Sequence, residues 1–291
     1  MEMNRIHIER NTVQETLVIP MYGRKLCTEL FPSLFTDRRA VELIERLDYD
    51  FSGLEKRSSS FAYRFGALEV AMRENDLLAE AEDYLKGHPD AAIVNLGCGL
   101  DQTGENCDNG RCRIYNIDLP DVMEVRNRLL PPGDRTENIS ADINDFSWFD
   151  RIDSSKGAYF MAAGVFYYFK KEQIRALFQA LEKRFPGARL CFDSANRRAV
   201  KLMLKTWVKE AGITSIKDYF CVNSLEKDVC PLFQCSEASS KGYMLGYNDL
   251  KDPSVPLLFR MLAKIGDGFM KMQIIRIDLA ERCIGTHYLC S

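Results

Sequence analysis

The chain has 291 residues, of which 46% are hydrophobic and 28% are charged, and its net charge is −3. This composition is ordinary for a globular protein, and the length suits one large α/β domain with insertions or two small domains. The slight negative charge offers no attraction to nucleic acid or to an anionic membrane, so we expect neither as a partner.

The compartment is predicted from apolar runs and cysteines. No segment approaches the roughly 18 consecutive apolar residues of a membrane helix, and the first residues lack the apolar core of a signal peptide. We therefore predict a cytoplasmic protein whose ten cysteines are reduced thiols. The tightest group, Cys221, Cys230 and Cys235, contains no C-x-x-C pair, so free thiols are favoured over zinc and no metal is predicted.

Residues 1–88 are predicted to be a helical cap. Asp37 has the position of a helix cap, and a helical apolar face follows it over residues 40–47. A second helix is predicted over residues 67–86, because Gly87 and Pro89 then stop it.

From residue 89 onward, strands and helices alternate. Strands are predicted over residues 91–94, 113–117, 137–141, 158–162 and 189–192, a helix begins at Pro120, and residues 171–185 carry one apolar helical stripe. This alternation predicts an α/β protein with a doubly wound, mostly parallel sheet. Near residues 220–270 the pattern weakens, and this region could be a lid, an insertion or a sheet-edge hairpin. A helix is predicted over 257–265 and a strand over 272–277.

A glycine turn follows the first of these strands. Gly97 and Gly99 permit a sharp turn and close approach to a ligand. The dinucleotide fingerprint needs a third glycine where this chain has Gln102, so a nicotinamide oxidoreductase is disfavoured. Cys98 lies between the glycines, but no histidine is nearby to make it a nucleophile.

Two carboxylates follow later strands. In an open α/β sheet, ligands bind at the carboxyl ends of the strands. Asp118 lies 118 − 97 = 21 residues after Gly97, where an acidic side chain holds a ribose, although a carboxylate at a helix start is the alternative. Asp142 and Ile143 fit an adenine amino group and ring, and a plain turn is their alternative.

Taken together, these residues resemble the leucine carboxyl methyltransferase superfamily, which also holds tetracenomycin-type polyketide carboxyl O-methyltransferases. The resemblance covers roughly residues 15–195. It rests on LVIPMYGR (17–24), DRRAVELIERLDYDF (37–51), Arg73, HPDAAIVNLGCGLD (88–101), DLP (118–120), ADI (141–143), GVFYY (164–168) and RFPGARLCFD (184–193).

The resemblance implies a seven-stranded Rossmann-like methyltransferase core over residues 89–291, with S-adenosylmethionine as cofactor and S-adenosylhomocysteine as product. Arg73 would hold the methionine carboxylate, Gly97 would line the same end, Asp118 would hold the ribose, and Asp142 with Ile143 the adenine. The cofactor-binding residues predicted in this way are Arg73, Gly97, Cys98, Gly99, Asp101, Asp118, Leu119, Asp142, Ile143 and Ala163.

The acceptor is predicted to be a carboxylate of a polyketide-like small molecule or a peptide. A carboxylate is ionised at neutral pH, so methyl transfer to it requires no general base. Tyr22, Arg24, Tyr167 and Tyr168 are the residues expected to close over it, with Arg24 pairing either the acceptor or a neighbour such as Glu29.

Two departures from the family pattern leave an alternative open. Residues 102–104 differ, and Ala163 stands where the family has a glutamate that helps to fix the amino end of the cofactor. The alternative is a catalytically impaired protein that keeps the fold for binding or regulation. Neither the individual acceptor nor the oligomeric state follows from the sequence.

Overall fold

A seven-stranded sheet organises the part of the chain that the computed structural model describes, which is residues 5–9, 12–203, 220–234 and 236–281. A separate parallel pair precedes it, formed by β1 (Ile6–His7) and β2 (Leu47–Asp48). The strands of the large sheet are β3 (Ala92–Leu96), β4 (Arg113–Asp118), β5 (Thr136–Ser140), β6 (Ala158–Ala162), β7 (Arg189–Ser194), β8 (Glu237–Gly242) and β9 (Gln273–Asp278).

The helices cover both faces of this sheet. They are α1 (Val13–Leu30), α2 (Arg38–Glu45), α3 (Ser52–Ser58), α4 (Phe61–Gly87), α5 (Thr103–Asn106), α6 (Pro120–Leu129), α7 (Lys171–Arg184), α8 (Arg197–Met203), α9 (Leu225–Asp228) and α10 (Leu257–Gly268). In the described part of the chain, short 3₁₀ segments at Phe146–Arg151, Phe166–Tyr168 and Cys230–Leu232 lie between them.

The strand order creates a crevice at the centre of the sheet. It runs β5-β4-β3-β6-β7-β9-β8, with β3 to β7 mutually parallel and β9 and β8 antiparallel to their neighbours. The chain builds outward from β3 through β5 and then returns to place β6 on the other side of β3. At such a reversal the two following loops diverge, which opens a ligand crevice at the carboxyl ends of the strands. The predicted doubly wound α/β fold is confirmed.

Alternate residues of the buried strands enter two separate cores. Ile93 packs with residues of α1 and α4 such as Val18 and Leu68, whereas Val94 packs with residues of α7 such as Phe178. Successive strand side chains point to opposite faces, so a strand covered on both sides is apolar throughout. This explains why β3 and β6 are buried along their whole length.

The predicted elements from residue 91 onward are confirmed to within a few residues, and Asp37 caps α2 by accepting the Ala40 N–H at 2.8 Å. The sequence did not predict α1, which continues through Pro20 although proline removes a helix hydrogen bond. It also did not predict β8, a polar strand at the sheet edge beside β9. One apolar core joins α1 and α4 to the sheet, and the division into a cap over 1–88 and a core over 89–291 with a lid near 220–270 stays a prediction.

The cysteines differ from the prediction in one respect. Cys230 is disulfide-bonded, so it is not one of the reduced thiols that the sequence predicted. Cys27, Cys98, Cys107, Cys112, Cys191 and Cys221 are free thiols, and Cys235 lies outside the described residues. No described helix combines the length and the apolarity needed to cross a bilayer.

Candidate active site

The glycine turn begins directly after β3, at the centre of the crevice. Gly97 and Gly99 have φ angles of +64° and +50°, in the left-handed region that favours glycine. A Cβ at Gly97 would lie 2.6 Å from Val165 Cγ2, in the loop after β6. The turn therefore requires glycine both for its backbone and for its contact with the neighbouring loop. Cys98 is buried within it, and burial raises the pKa of its thiol well above the ordinary value, which argues against a nucleophile.

Asp118 closes this turn from the end of β4. Its Oδ2 accepts the Gly99 N–H and its Oδ1 accepts the Leu119 N–H, both at 2.8 Å. Burial raises the pKa of Asp118, and the two backbone bonds oppose that shift. Each carboxylate oxygen keeps a free acceptor position, and the Leu119 side chain is 36% exposed beside it. The geometry is compatible with ribose binding, and this role stays a prediction.

Arg126, which the sequence analysis did not single out, holds the same turn from beneath. It is fully buried, and its Nη1 donates to the carbonyl oxygens of Gly99 at 3.0 Å and Asp101 at 2.7 Å, while Nη2 pairs with Glu105. The Asp101 carboxylate is also used internally, since it accepts the Asn95 side-chain amide and the Thr103 N–H. The helical spacing could have predicted that Arg126 is buried, because it follows the apolar Val122 by four residues and so lies on the same face of α6.

The predicted adenine end lies beside Asp118, after β5. The Ala141 N–H donates to the Asp118 carbonyl at 2.9 Å, which joins the two strand ends. Asp142 is exposed and its Oδ1 accepts two bonds from Asn144, whereas Ile143 is buried. Asp142 Oδ2 has no hydrogen bond to a described residue, so it can accept from an adenine amino group. Asp142 can therefore stabilise a turn through Oδ1 and still bind an adenine through Oδ2.

The predicted amino-acid end lies on the other side of the glycine turn, where α4 crosses the ends of β6 and β7. Arg73 Nη1 donates to Asp193 Oδ2 at 3.2 Å. The Asp193 carboxylate, 3% exposed, also accepts the Gly164 N–H at 2.6 Å and the Tyr167 hydroxyl at 3.1 Å. Burial lowers the pKa of Arg73, but the charge and hydrogen bond of Asp193, together with Tyr243 and Tyr167, raise the pKa overall. Asp193 was not predicted from the sequence as a site residue.

Arg73 retains donors for a ligand. A Cβ at Gly164 would lie 2.8 Å from its Nη1 and 3.1 Å from its Nη2, so the guanidinium lies flat against this glycine. Its Nε is buried without a hydrogen-bond partner in the described residues. A buried donor left unpaired is costly, and a guanidinium matches the two oxygens of a carboxylate. These observations fit the carboxylate of an amino acid.

The structure separates the four residues predicted to close over the substrate. Tyr167 and Tyr168 lie near Arg73, and Tyr168 is 38% exposed. Tyr22 is buried instead in the N-terminal helices, stacked on Phe51.

Arg24 is only 4% exposed and lies beneath the glycine turn. Its Nε is 2.8 Å from Asp37 and 3.4 Å from Glu74, and its Nη2 donates to the Leu100 carbonyl. Glu29, the alternative partner considered for it, pairs with Lys25. Burial lowers the pKa of Arg24, while Glu74 and Asp37 raise it to a net increase. The Arg24 substrate contact stays a prediction that these pairings disfavour.

Comparison with known proteins shows the family of the chain. The sequence profile of the leucine carboxyl methyltransferase family matches residues 27–182, more than half of the chain. The chain belongs to the leucine carboxyl methyltransferase family. This family consists of S-adenosylmethionine-dependent methyltransferases. That the glycine turn, Asp118 and Arg73 bind this cofactor stays a prediction. The match includes the glycine turn and ends before Asp193.

One curated relative is similar over a shorter region. The tetracenomycin polyketide synthesis O-methyltransferase TcmP of Streptomyces glaucescens is 28% identical over 183 residues, which is 62% of this chain. The matched region spans 66% of the length of that relative, slightly less than two thirds.

Solved structures share the fold at low sequence identity. A protein assigned as a methyltransferase from Thermobifida fusca YX has a TM-score of 0.56 and 16% identity, covering 89% of this chain and 94% of that chain. A DUF574 family protein from Streptomyces avermitilis MA-4680 has a TM-score of 0.59 and 11% identity, covering 90% and 96%. These structures support the architecture over nearly the whole chain.

Proposed function

We propose that the protein transfers a methyl group from S-adenosylmethionine to a carboxylate oxygen of a small, polyketide-like molecule or a peptide. The observation that carries the proposal is the placement of Arg73, Asp118 and Asp142 along one edge of the sheet, on either side of the glycine turn. These groups suit an amino-acid tail, a ribose and an adenine in this order. The name of the family suggests a carboxylate acceptor, and the TcmP relative, an O-methyltransferase of tetracenomycin polyketide synthesis, suggests a polyketide-like molecule.

Each part of the chain has a simple task in this reaction. The bound cofactor supplies a methyl group already activated on a sulfonium. Gly97 and Gly99 let the backbone approach it, while Asp118 accepts hydrogen bonds and Arg73 donates them. An ionised acceptor carboxylate needs no proton removed, so the protein contributes by dehydrating and aligning the two reactants.

One observation favours a second candidate, a catalytically impaired binding or regulatory protein. Ala163, at the end of β6, carries no charge beside Gly164. This candidate predicts that Ala163→Glu strengthens cofactor binding and that the unaltered protein transfers no methyl group.

Calorimetry and methyl transfer test the proposal together. We expect S-adenosylhomocysteine to bind the full chain in isothermal titration, and radiolabelled methyl to pass from S-adenosylmethionine to members of a panel of aromatic polyketide acids and peptides. A carboxyl ester releases its methyl group as volatile methanol in mild base, whereas an ether does not. No binding at millimolar ligand would refute the cofactor assignment, binding without transfer would favour the second candidate, and base-stable label would move the acceptor to a hydroxyl.

A further inference from the structure

Glu69 is a carboxylate close to the predicted amino-acid end, and no residue that the structure describes pairs with it. It lies on α4, half-buried, and forms no hydrogen bond or ion pair with any residue in the described part of the chain. Residues four apart on a helix share a face, so Glu69 projects from the same side of α4 as Arg73. A half-buried charge without a partner is costly in free energy. Binding a cationic ligand or taking up a proton would remove this cost.

Its surroundings show that it faces the same region as Arg73. Burial raises the pKa of Glu69 to about 7, and the positive charge of Arg73 opposes that shift. The Tyr243 phenol, after β8, also lies near Glu69, whose negative charge helps to raise the phenol pKa. Arg73 and Tyr243 are therefore the charged and titratable groups that interact with this carboxylate.

The other carboxylates around the glycine turn and Arg73 are already used. Asp193 accepts three hydrogen bonds and is almost fully buried. Glu74 pairs with Arg24, Asp118 accepts two backbone N–H groups, and Asp101 accepts the Asn95 side-chain amide and the Thr103 N–H. Ala163, next to Gly164, has no charge to offer. Among these residues, Glu69 is the acid that accepts no hydrogen bond from a described residue.

An amino acid needs two opposite charges from its binding site. Its carboxylate and its ammonium are attached to the same carbon, so the residues that hold them must also be neighbours. Side chains at positions i and i+4 of one helix have Cβ atoms about 5–6 Å apart, a separation that suits Glu69 and Arg73 on either side of an amino-acid tail. Such charge-assisted bonds are stronger than neutral ones.

We propose that Glu69 binds the α-ammonium group of the cofactor's amino-acid tail while Arg73 binds its carboxylate. This inference rests on the proposed function, because it assumes that an S-adenosyl amino acid occupies the crevice. It assigns Glu69 a binding role and no proton transfer, so Glu69 determines cofactor affinity and not the methyl-transfer step itself.

Two ligands that differ only in the ammonium group test the assignment. S-adenosylhomocysteine and its analogue without the α-amino group are titrated calorimetrically into the full chain and into Glu69→Gln. We expect Glu69→Gln to weaken S-adenosylhomocysteine binding by about 10- to 100-fold, the range for one hydrogen bond between charged groups. It should change binding of the analogue by less than about twofold, since the lost contact is absent there.

The matched control is Glu82→Gln, the same substitution at an exposed position of α4, and it should leave both affinities unchanged. Equal loss for the two ligands, or no loss for either, would overturn the role of Glu69 while the proposed function stands. Absence of S-adenosylhomocysteine binding by the unaltered protein would overturn both.

The dependence of affinity on pH gives a second readout. Protonated Glu69 cannot attract an ammonium group, so raising the pH from 6 to 7.5 should strengthen S-adenosylhomocysteine binding by about five- to tenfold. Glu69→Gln should lose this dependence, although Arg73 and Tyr243 remain in place. An unchanged pH profile in Glu69→Gln would contradict the assignment.

Discussion

Asp193 and Arg73 form a buried ion pair between residues 120 positions apart in the sequence, with Asp193 Oδ2 3.2 Å from Arg73 Nη1. The pair connects α4 to the end of β7, and the Gly164 N–H and the Tyr167 hydroxyl complete the shell of the carboxylate. Removing one member of a buried pair leaves an uncompensated charge. The pair therefore sets where the Arg73 guanidinium lies in the crevice.

Asp193→Asn should both destabilise the protein and weaken cofactor binding. We expect the free energy of unfolding in urea to fall by about 3 kcal/mol or more, because the Arg73 charge loses its buried partner, and we expect weaker binding of S-adenosylhomocysteine. As a control, Glu42→Gln breaks the exposed Arg39–Glu42 pair, 2.9 Å apart, and should cost less than about 1 kcal/mol. Similar losses in the two variants would contradict the structural role of Asp193.

Gly97→Ala should disrupt the glycine turn. The alanine Cβ would lie 2.6 Å from Val165 Cγ2. Alanine would also have to adopt the φ angle of +64° found at this position. We expect a loss of about 1–3 kcal/mol from the backbone conformation and a large drop in S-adenosylhomocysteine affinity, both measurable by thermal shift. The double variant Gly97→Ala, Val165→Ala removes the clash alone and should recover only part of the stability.

The control for that variant is Gly133→Ala, where a Cβ meets no atom within 4 Å. It should leave stability and binding close to those of the unaltered protein. Full recovery in the double variant would mean that the left-handed backbone is not required at Gly97.

Arg126→Lys should loosen the glycine turn from beneath. Lysine keeps the charge but cannot hold the Gly99 and Asp101 carbonyls together with Glu105 as the planar guanidinium does. We expect stability to fall by about 2 kcal/mol or more, since buried acceptors lose their donors, with weaker cofactor binding by calorimetry. Arg128→Lys, at an exposed position of α6, should have no effect on either, and an equal effect would refute the positioning role of Arg126.

Asp76 should make the stability of the protein decrease as the pH rises. It is 1% exposed on α4, and burial raises its pKa from 3.8 to about 9, with Asp267 and Glu80 adding to the shift. Between these values the folded state holds one proton more than the unfolded chain, so the free energy of unfolding falls by at most about 1.4 kcal/mol per pH unit.

The asparagine of Asp76→Asn does not titrate, so this part of the pH dependence of the free energy of unfolding should be lost. Urea unfolding at pH 5, 6.5 and 8 should show the variant gaining on the unaltered protein as the pH rises. Asp134→Asn, at an exposed position, should follow the unaltered protein, and parallel curves for all three proteins would contradict the shift at Asp76.

The sequence predicted most of the fold because local patterns decide most of it. The buried strands β3 and β6 are short apolar runs, and α7 carries an apolar stripe at helical spacing. Prediction failed where local signals conflict with packing. Pro20 is unfavourable within a helix, yet α1 continues through it because the buried residues Val18 and Met21 pack in the core. The strand β8 lacks an apolar pattern because it lies at the edge of the sheet.

The candidate site divides in the same way. Gly97, Gly99 and Asp118 were predictable, because a turn after a buried strand demands glycine and the next strand end lies beside it. The residues that pair with each charged side chain could not be predicted from the sequence. Whether Arg24 faces a substrate or Asp37 depends on residues that only folding brings near.

The sequence by itself determined the order of strands and helices and the position of the glycine turn, since both follow from periodicity and from the backbone freedom of a few residues. Only the tertiary structure decided which charges are satisfied internally. It pairs Arg73 with Asp193, buries Arg24 and gives Glu69 no partner among the described residues. Electrostatic contacts join residues far apart in the chain and depend on how deeply the fold removes each group from water.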